Sequence, residues 1–228
     1  MINVKPVQFK FGDYMSNAVE LMKKDFGNFI LAYIFCIILS IIPFCGLMAA
    51  GNFYKYCRKI NRGEQASPGE IFNFDDFMPY FLIQLIILAA VFVIYIPIII
   101  SAPFLNNGSD AQPVFGVFFS LYAVSIVGVM IYFLLKGFYI PGLISLGKIS
   151  DLKTAWELSK LMTKGNMLNI LLFSIVTSFV SQLGVLACVI GILVTLPFYY
   201  VSHYFAYEDA MQQIEHDEIK EIGLQNEI

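Results

Sequence analysis

The sequence is poor in charge. Only 14% of its 228 residues are Asp, Glu, Lys or Arg, while 58% are hydrophobic; soluble domains run at roughly 25% charged and about 45–50% apolar. A water-soluble fold of this size lacks the polar surface to cover so many apolar side chains, and exposed patches beyond about a few hundred Å² aggregate. A mean hydropathy of +0.73 therefore points to the bilayer as the solvent. Histidine is nearly absent: His203 and His216 are the two, and neither has a second histidine or cysteine at ligand spacing. That excludes a zinc or iron site of three or four such ligands. The four cysteines, Cys36, Cys45, Cys57 and Cys188, are scattered without a CxxC and read as small apolar fillers. There is no GxSxG, no phosphate loop and no HExxH. With a net charge of −3 and no basic stripe, nucleic acid is excluded as a partner. The first 26 residues carry charge throughout and end in no small-residue cleavage site, so no signal peptide is expected. These absences predict a protein that is not an enzyme and holds no metal or cofactor.

What is present is a set of long windows without charge. A charged side chain is costly at the bilayer centre, so such windows mark spans. They cover 26–54, 77–109, 111–135 and 165–207. A spanning helix takes about 20 residues, so the last window holds two helices, with breaks near Gly184 and Gly191. The first is either one tilted helix or a hairpin broken at Pro43-Phe44-Cys45-Gly46. Positive charge decides between them, because cytoplasmic loops collect Lys and Arg. With the hairpin there are six spans, about 26–44, 46–62, 77–104, 114–136, 166–186 and 190–207, both termini are cytoplasmic, and all 14 basic residues fall inside. With one helix, Lys5, Lys10, Lys23 and Lys24 fall on the wrong side. Of the 17 acidic residues only Asp110 is then outside, and 208–228 is an acidic cytoplasmic tail. The second span is short, so Lys55 and Arg58 have to snorkel to the headgroups. Tyr54, Tyr56, Tyr80, Tyr139, Tyr199, Tyr200, Tyr204 and Tyr207 gather near the inner surface, as an aromatic belt would.

Three amphipathic stretches lie on that side. Residues 13–26 set Met15, Ala18, Met22 and Phe26 against Ser16, Glu20, Lys23 and Lys24. Ser67-Pro68-Gly69-Glu70 reads as a capping box with proline at the first helical position, leading through Ile71, Phe74 and Phe77 into the third span. Residues 151–163 set Leu152, Ala155, Trp156, Ser159 and Met162 against Lys153, Glu157 and Lys160. Each reads either as a helix lying flat at the interface or as a cytosolic extension of a span. The chain also repeats itself weakly: Ala18-Val19-Glu20-Leu21 matches Ala155-Trp156-Glu157-Leu158, and Gly27-Asn28 matches Gly165-Asn166. Both copies run amphipathic helix, span, turn, span, a parallel repeat about an axis along the membrane normal.

Several segments carry a resemblance: Lys59-Ile60-Asn61-Arg62-Gly63-Glu64 with Ile71-Phe72 and Phe77, Ala155-Trp156-Glu157-Leu158-Ser159 with Lys164-Gly165-Asn166, and Leu183-Gly184 through Gly191, Pro197 and Tyr207. Together they resemble six-span bacterial membrane families of unknown function, related to the membrane domain fused to some glycerophosphodiester phosphodiesterases. The resemblance implies an all-α polytopic helix bundle in the bacterial cytoplasmic membrane. It implies no activity, since nothing here corresponds to the fused phosphodiesterase domain.

Chemistry-bearing residues are few. Asp75-Asp76 and Glu208-Asp209 are adjacent pairs, which point about 100° apart on a helix and do not share a site; they read as a solvated face. His203 with Glu208 is the nearest approach to an ionisable pair. One polar feature stands out in the fifth span: Ser174, Thr177, Ser178, Ser181 and Gln182 recur at i, i+3, i+4, i+7 and i+8. The stripe is either helix packing, where small residues and hydroxyls let helices approach, or the wall of a polar groove. Packing is the simpler account. The expected function is a non-enzymatic accessory or scaffold protein whose partners are membrane lipids and other membrane proteins. The alternative is a carrier or groove for a lipid or apolar small molecule.

Overall fold

The computed structural model describes residues 7–106, 112–184 and 188–225, and every regular element among them is helical. In chain order these are α1 (Phe11–Lys24), α2 (Phe26–Ser40), α3 (Gly46–Asn61), a short 3-10 helix (Pro68–Phe72), α4 (Phe77–Asn106), α5 (Gln112–Lys136), α6 (Ile140–Ser145), α7 (Leu152–Met162), α8 (Met167–Leu183) and α9 (Cys188–Gln225). The turn expected between the third and fourth spans, with Asn107, Gly108, Ser109 and Asp110, lies outside the described residues. Two helical stretches are long and apolar enough to cross a membrane, Phe77–Ile100 and Gly116–Ser145, and a third if α7 and α8, bent by 100°, count as one. The molecule is therefore an all-helical protein with membrane-capable spans.

The packing has two parts. One is a bundle in which α2 and α3 form a hairpin, α8 and α9 form another, and α3 and α9 cross between them. The glycines at the crossings explain the close approach. A Cβ on Gly184 would run into Thr195 and the Gly191 backbone, and one on Gly142 would meet the Tyr207 ring at 2.7 Å. The Thr195 hydroxyl donates to the Ser181 carbonyl across the α8–α9 pair at 2.7 Å, a bond that low-dielectric surroundings strengthen. The other part is the α4–α5 hairpin, whose membrane-capable windows bury nothing. It is tied to the bundle at the α2–α3 turn and braced between its own two helices. The Gln84 amide donates to the Phe44 carbonyl (2.8 Å) at the α2–α3 turn, where Phe44 takes a left-handed φ of 63°. Between the two helices, the Tyr122 hydroxyl donates to the Ile94 carbonyl (2.9 Å), just before Pro97 interrupts the α4 hydrogen-bond ladder.

The tyrosines form a core, not a lipid-facing belt. Tyr56, Tyr80, Tyr139 and Tyr204 are at most 1% exposed, Tyr54 and Tyr207 are buried, and only Tyr199 and Tyr200 are half-buried. The rings meet edge to face, as with Tyr54 on Tyr207 (5.2 Å, 89°) and Phe29 on Tyr56 (5.3 Å, 82°), the arrangement their quadrupoles favour. Period and composition read alike for an interfacial ring and a buried one; here α2, α3, α6 and α9 converge and enclose them.

The amphipathic stretches likewise pack on protein. In α1, Tyr14, Ala18, Leu21 and Met22 are buried against α9, while Phe26 is exposed. At 38 residues, α9 is about 57 Å long, and the segment expected as a separate tail, 208–228, is helical as far as Gln225 in continuity with the helix before it. Asp209 of α9 accepts from the Lys10 ammonium (2.9 Å), the Tyr14 hydroxyl (2.6 Å) and the Gln213 amide (2.7 Å), and Gln213 exchanges two bonds with the Gln8 backbone. Burial, then the bond to Asp209, raises the Tyr14 phenol above its ordinary pKa. The capping box forms, with Ser67 accepting from the Gly69 N–H and Glu70 from the Ser67 N–H, both at 3.4 Å. It opens only the five-residue 3-10 helix, however, because an Asn73 side-chain turn onto the Asp75 N–H (2.7 Å) separates it from α4. In α7, Asp151 caps the first turn through the Thr154 N–H (2.9 Å) and hydroxyl (2.5 Å). The buried Ser159 donates to the Lys136 carbonyl (2.6 Å) and accepts from the Tyr139 N–H (3.2 Å). It thereby closes the break where α5 ends, and Trp156 stacks on Phe133 beside it (5.6 Å).

Candidate functional site

The charged residues of α3 make the site. Lys55, Arg58, Lys59 and Arg62 recur at i, i+3, i+4 and i+7, one face of the C-terminal half of a helix, where cations also complement the helix dipole. Each meets a carboxylate from another element. Arg58 grips Glu208 of α9 with Nε (2.9 Å) and Nη2 (2.5 Å) and donates Nη1 to the Leu146 carbonyl (2.8 Å). Lys59 reaches Glu70 at 2.9 Å. The Lys55 ammonium pairs with Asp76 Oδ2 at 2.5 Å. Arg62 has only a loose approach of 3.7 Å to the second Glu208 oxygen. The acidic pairs thus serve separate partners, as their spacing predicts. Asp75 is exposed, in keeping with a solvated face, but Glu208-Asp209 is not one: Glu208 is 8% exposed, and Asp209 holds α1.

Above this network lies Asn52, 2% exposed, whose amide donates to the carbonyls of Ile71 (2.9 Å) and Asn73 (2.6 Å) and fixes the 3-10 helix on α3. Its Oδ1 is buried without a partner. Beside it, Gly51 leaves room for Ser145 and Tyr80, which occupy the space a Cβ would take. Their hydroxyls are 2.6 Å apart, and Tyr80 donates to the Pro141 carbonyl (3.1 Å), linking α4 to α6. These walls border an open cavity of about 610 Å³, lined by Asn52 and the four cations of α3, by Glu64, Glu70, Asn73 and Asp75, and by Ser145, Leu146 and Lys148. A second, smaller cavity of about 210 Å³ lies between α2, α3 and α9, against Tyr33, Cys36, Ser40, Gly46, Ala50 and Tyr200.

The polar stripe of α8 lines neither cavity. Thr177 and Ser181 are buried and return their hydroxyls to the carbonyls of Phe173 and Thr177 one turn back, both at 2.7 Å. Ser174 and Ser178 are half-buried and Gln182 is exposed. His203 is enclosed by rings, 4.1 Å from Tyr199, with Nδ1 at 2.8 Å from the Tyr199 carbonyl; Glu208 is engaged by Arg58 instead. Among the described residues no three metal-ligating side chains come together.

The sequence alone singles out neither the α3 cations nor Asn52 as a site: Lys55 and Arg58 read as snorkelling anchors, and Asn52, Lys59 and Arg62 stand in no recognised motif. The usable signal was their common face: Asn52, Lys55, Lys59 and Arg62 follow each other at three- and four-residue steps, ahead of the acidic Glu64 and Glu70.

Compared with known proteins, the chain matches no protein family, no curated protein and no solved structure.

Proposed function

We propose that the chain is a six-span protein of the bacterial cytoplasmic membrane, with both termini inside, that acts as a non-enzymatic accessory protein packing against other membrane proteins and lipid. The observation that carries this reading is the α4–α5 hairpin, whose two 18-residue membrane-capable windows contain no buried residue. On α5, Gly116, Ser120 and Ala123 are exposed along one face, and a Cβ on Gly116 or Gly128 would touch nothing. Exposed small residues at this spacing let another membrane helix approach closely, where packing and not hydrophobicity drives association. Photocrosslinking in native membranes from Val124, 71% exposed, is expected to trap a discrete protein. Adducts to lipid alone would overturn the accessory role.

The six-span arrangement draws support from the two hairpins and from the charges gathered at the ends of α3 and α9. The two halves share an order, α1–α2–α3 and α7–α8–α9, in keeping with a parallel repeat. They differ where α6 intervenes: α1 packs on α9, whereas α7 packs on α6 and α5. The groove reading keeps one favourable observation, the cavity between α2, α3 and α9 with its apolar and aromatic walls. Replacing Ala50 with Leu fills that space; on this reading it would displace an apolar molecule seen by native mass spectrometry.

A further inference from the structure

We propose that the cavity beside α3 is a binding site for a phosphate ester that also carries a hydroxyl or ammonium group, its phosphate held by Arg62 and Lys148. The argument starts from which charges are already engaged. On α3 four cations meet three carboxylates, because Arg58 and Arg62 share Glu208. Arg58 takes the short contacts, and Arg62 keeps 57% of its side chain exposed. Lys148 lines the same cavity and, among the described residues, has no ion pair or side-chain hydrogen bond, on a backbone held at a left-handed φ of 55° that non-glycine residues rarely adopt. Two cationic side chains with free donors in one concavity suit a phosphate, which takes several charge-assisted bonds at once.

The rest of the wall narrows the class. Glu64, Glu70 and Asp75 also line the space, so a polyphosphate would meet carboxylates and is disfavoured. A single phosphate with a neutral or cationic substituent is not. Among the described residues Glu64 carries no ion pair, and it lines the cavity; a hydroxyl or ammonium donor beside the phosphate complements its carboxylate. The volume, about 610 Å³, lies within the roughly 300–1,000 Å³ typical of small-molecule sites. Glycerophosphate and ethanolamine phosphate share this chemistry, as the headgroup of a membrane lipid or as a free ester. The lipid source rests on the membrane placement proposed above; the soluble source does not.

The test uses the full-length protein in a neutral detergent, titrated by calorimetry with short-chain phosphatidylglycerol, short-chain phosphatidylethanolamine and glycerol 3-phosphate, with glycerol as the phosphate-free control. The phosphate-bearing probes are expected to bind. An Arg62→Gln/Lys148→Gln variant, altered at two exposed positions, is expected to bind them at least about tenfold more weakly. A Lys23→Gln/Lys24→Gln variant, with the same charge change on α1, is expected to bind as the parent does. Binding of the lipids alone identifies a headgroup site, and binding of glycerol 3-phosphate as well identifies a site for the ester itself. No binding by any phosphate-bearing probe, or equal weakening in both variants, would overturn the proposal.

Discussion

Arg58 and Glu208 join the two crossing helices, and their removal tests how the bundle is held. Their side chains are 20% and 10% exposed, so neither can turn fully to water. Arg58→Met deletes two bonds to the carboxylate and one to the Leu146 carbonyl, and leaves Glu208 charged and enclosed. Breaking one side of a buried pair costs about 3–5 kcal/mol. Arg62, 3.7 Å away, can close part of the gap, which puts the expected loss near 3 kcal/mol, on the order of a hundredfold in the folding equilibrium. Removing both charges together, as Arg58→Met/Glu208→Leu, removes the stranded charge and is expected to recover to within about 1 kcal/mol of the parent. Unfolding by added sodium dodecyl sulfate in mixed micelles, followed through Trp156, the only tryptophan, reads both. A single variant that costs less than about 1 kcal/mol, or a double variant as unstable as the sum of its parts, would refute the reasoning.

Other outcomes follow from single contacts. Gly51→Ala drives a methyl into Ser145 and Tyr80 and is expected to cost about 1–3 kcal/mol, whereas Gly128→Ala, facing open space, should leave the melting temperature of the isolated protein unchanged or raised. Ser159→Ala strips two buried bonds from the α5–α6 break; a loss of about 1–3 kcal/mol is expected, with faster hydrogen exchange at the Tyr139 amide. Thr177→Val keeps the packing and loses only a bond within its own helix, so it should cost less than about 1 kcal/mol and leave retained lipid unchanged by mass spectrometry. The bond from the Thr154 hydroxyl, then that from its N–H, lowers the Asp151 pKa below the ordinary carboxylate value. Its contribution to the start of α7 is thus present above the unfolded-state pKa and is lost as pH falls through the lower folded one. The Thr154 amide should exchange faster, after correction for intrinsic rates, across that acid range, and Asp151→Ala should abolish the difference.

Much of the architecture was legible because charge is excluded from hydrocarbon. The charge-free windows located α4 and α5, and Gly184 marked the end of α8, whereas Gly191, expected as a second break, lies inside α9. The capping box at Ser67 and Glu70 was readable from spacing alone. What spacing could not carry was the partner of each amphipathic face. Met22 and Ala18 present the same apolar side to lipid or to α9, and only the third dimension brings Asp209 onto Lys10 and Tyr14. The same limit hid the cavity. Its walls come from α3, the 3-10 helix and α6, and its cations look like ordinary membrane anchors until Glu208, some 150 residues away in the chain, is seen beneath them. The stripe on α8 was correctly seen as one face, yet hydroxyl groups that bond back to their own helix give no sequence signal to separate packing from a groove.

The central claim is the six-span topology, since the proposed cytoplasmic placement of the α3 network and cavity depends on it. Single cysteines introduced at Ser16, Ile42, Glu64 and Lys153, in a chain with its four natural cysteines replaced, can be labelled in intact cells with a membrane-impermeant maleimide. The account predicts labelling from outside only at Ile42, in the turn between α2 and α3, with Ser16, Glu64 and Lys153 reached after the membrane is opened. If Ile42 is reached only from the same side as Glu64, the first hairpin does not cross the membrane, and the six-span account is wrong.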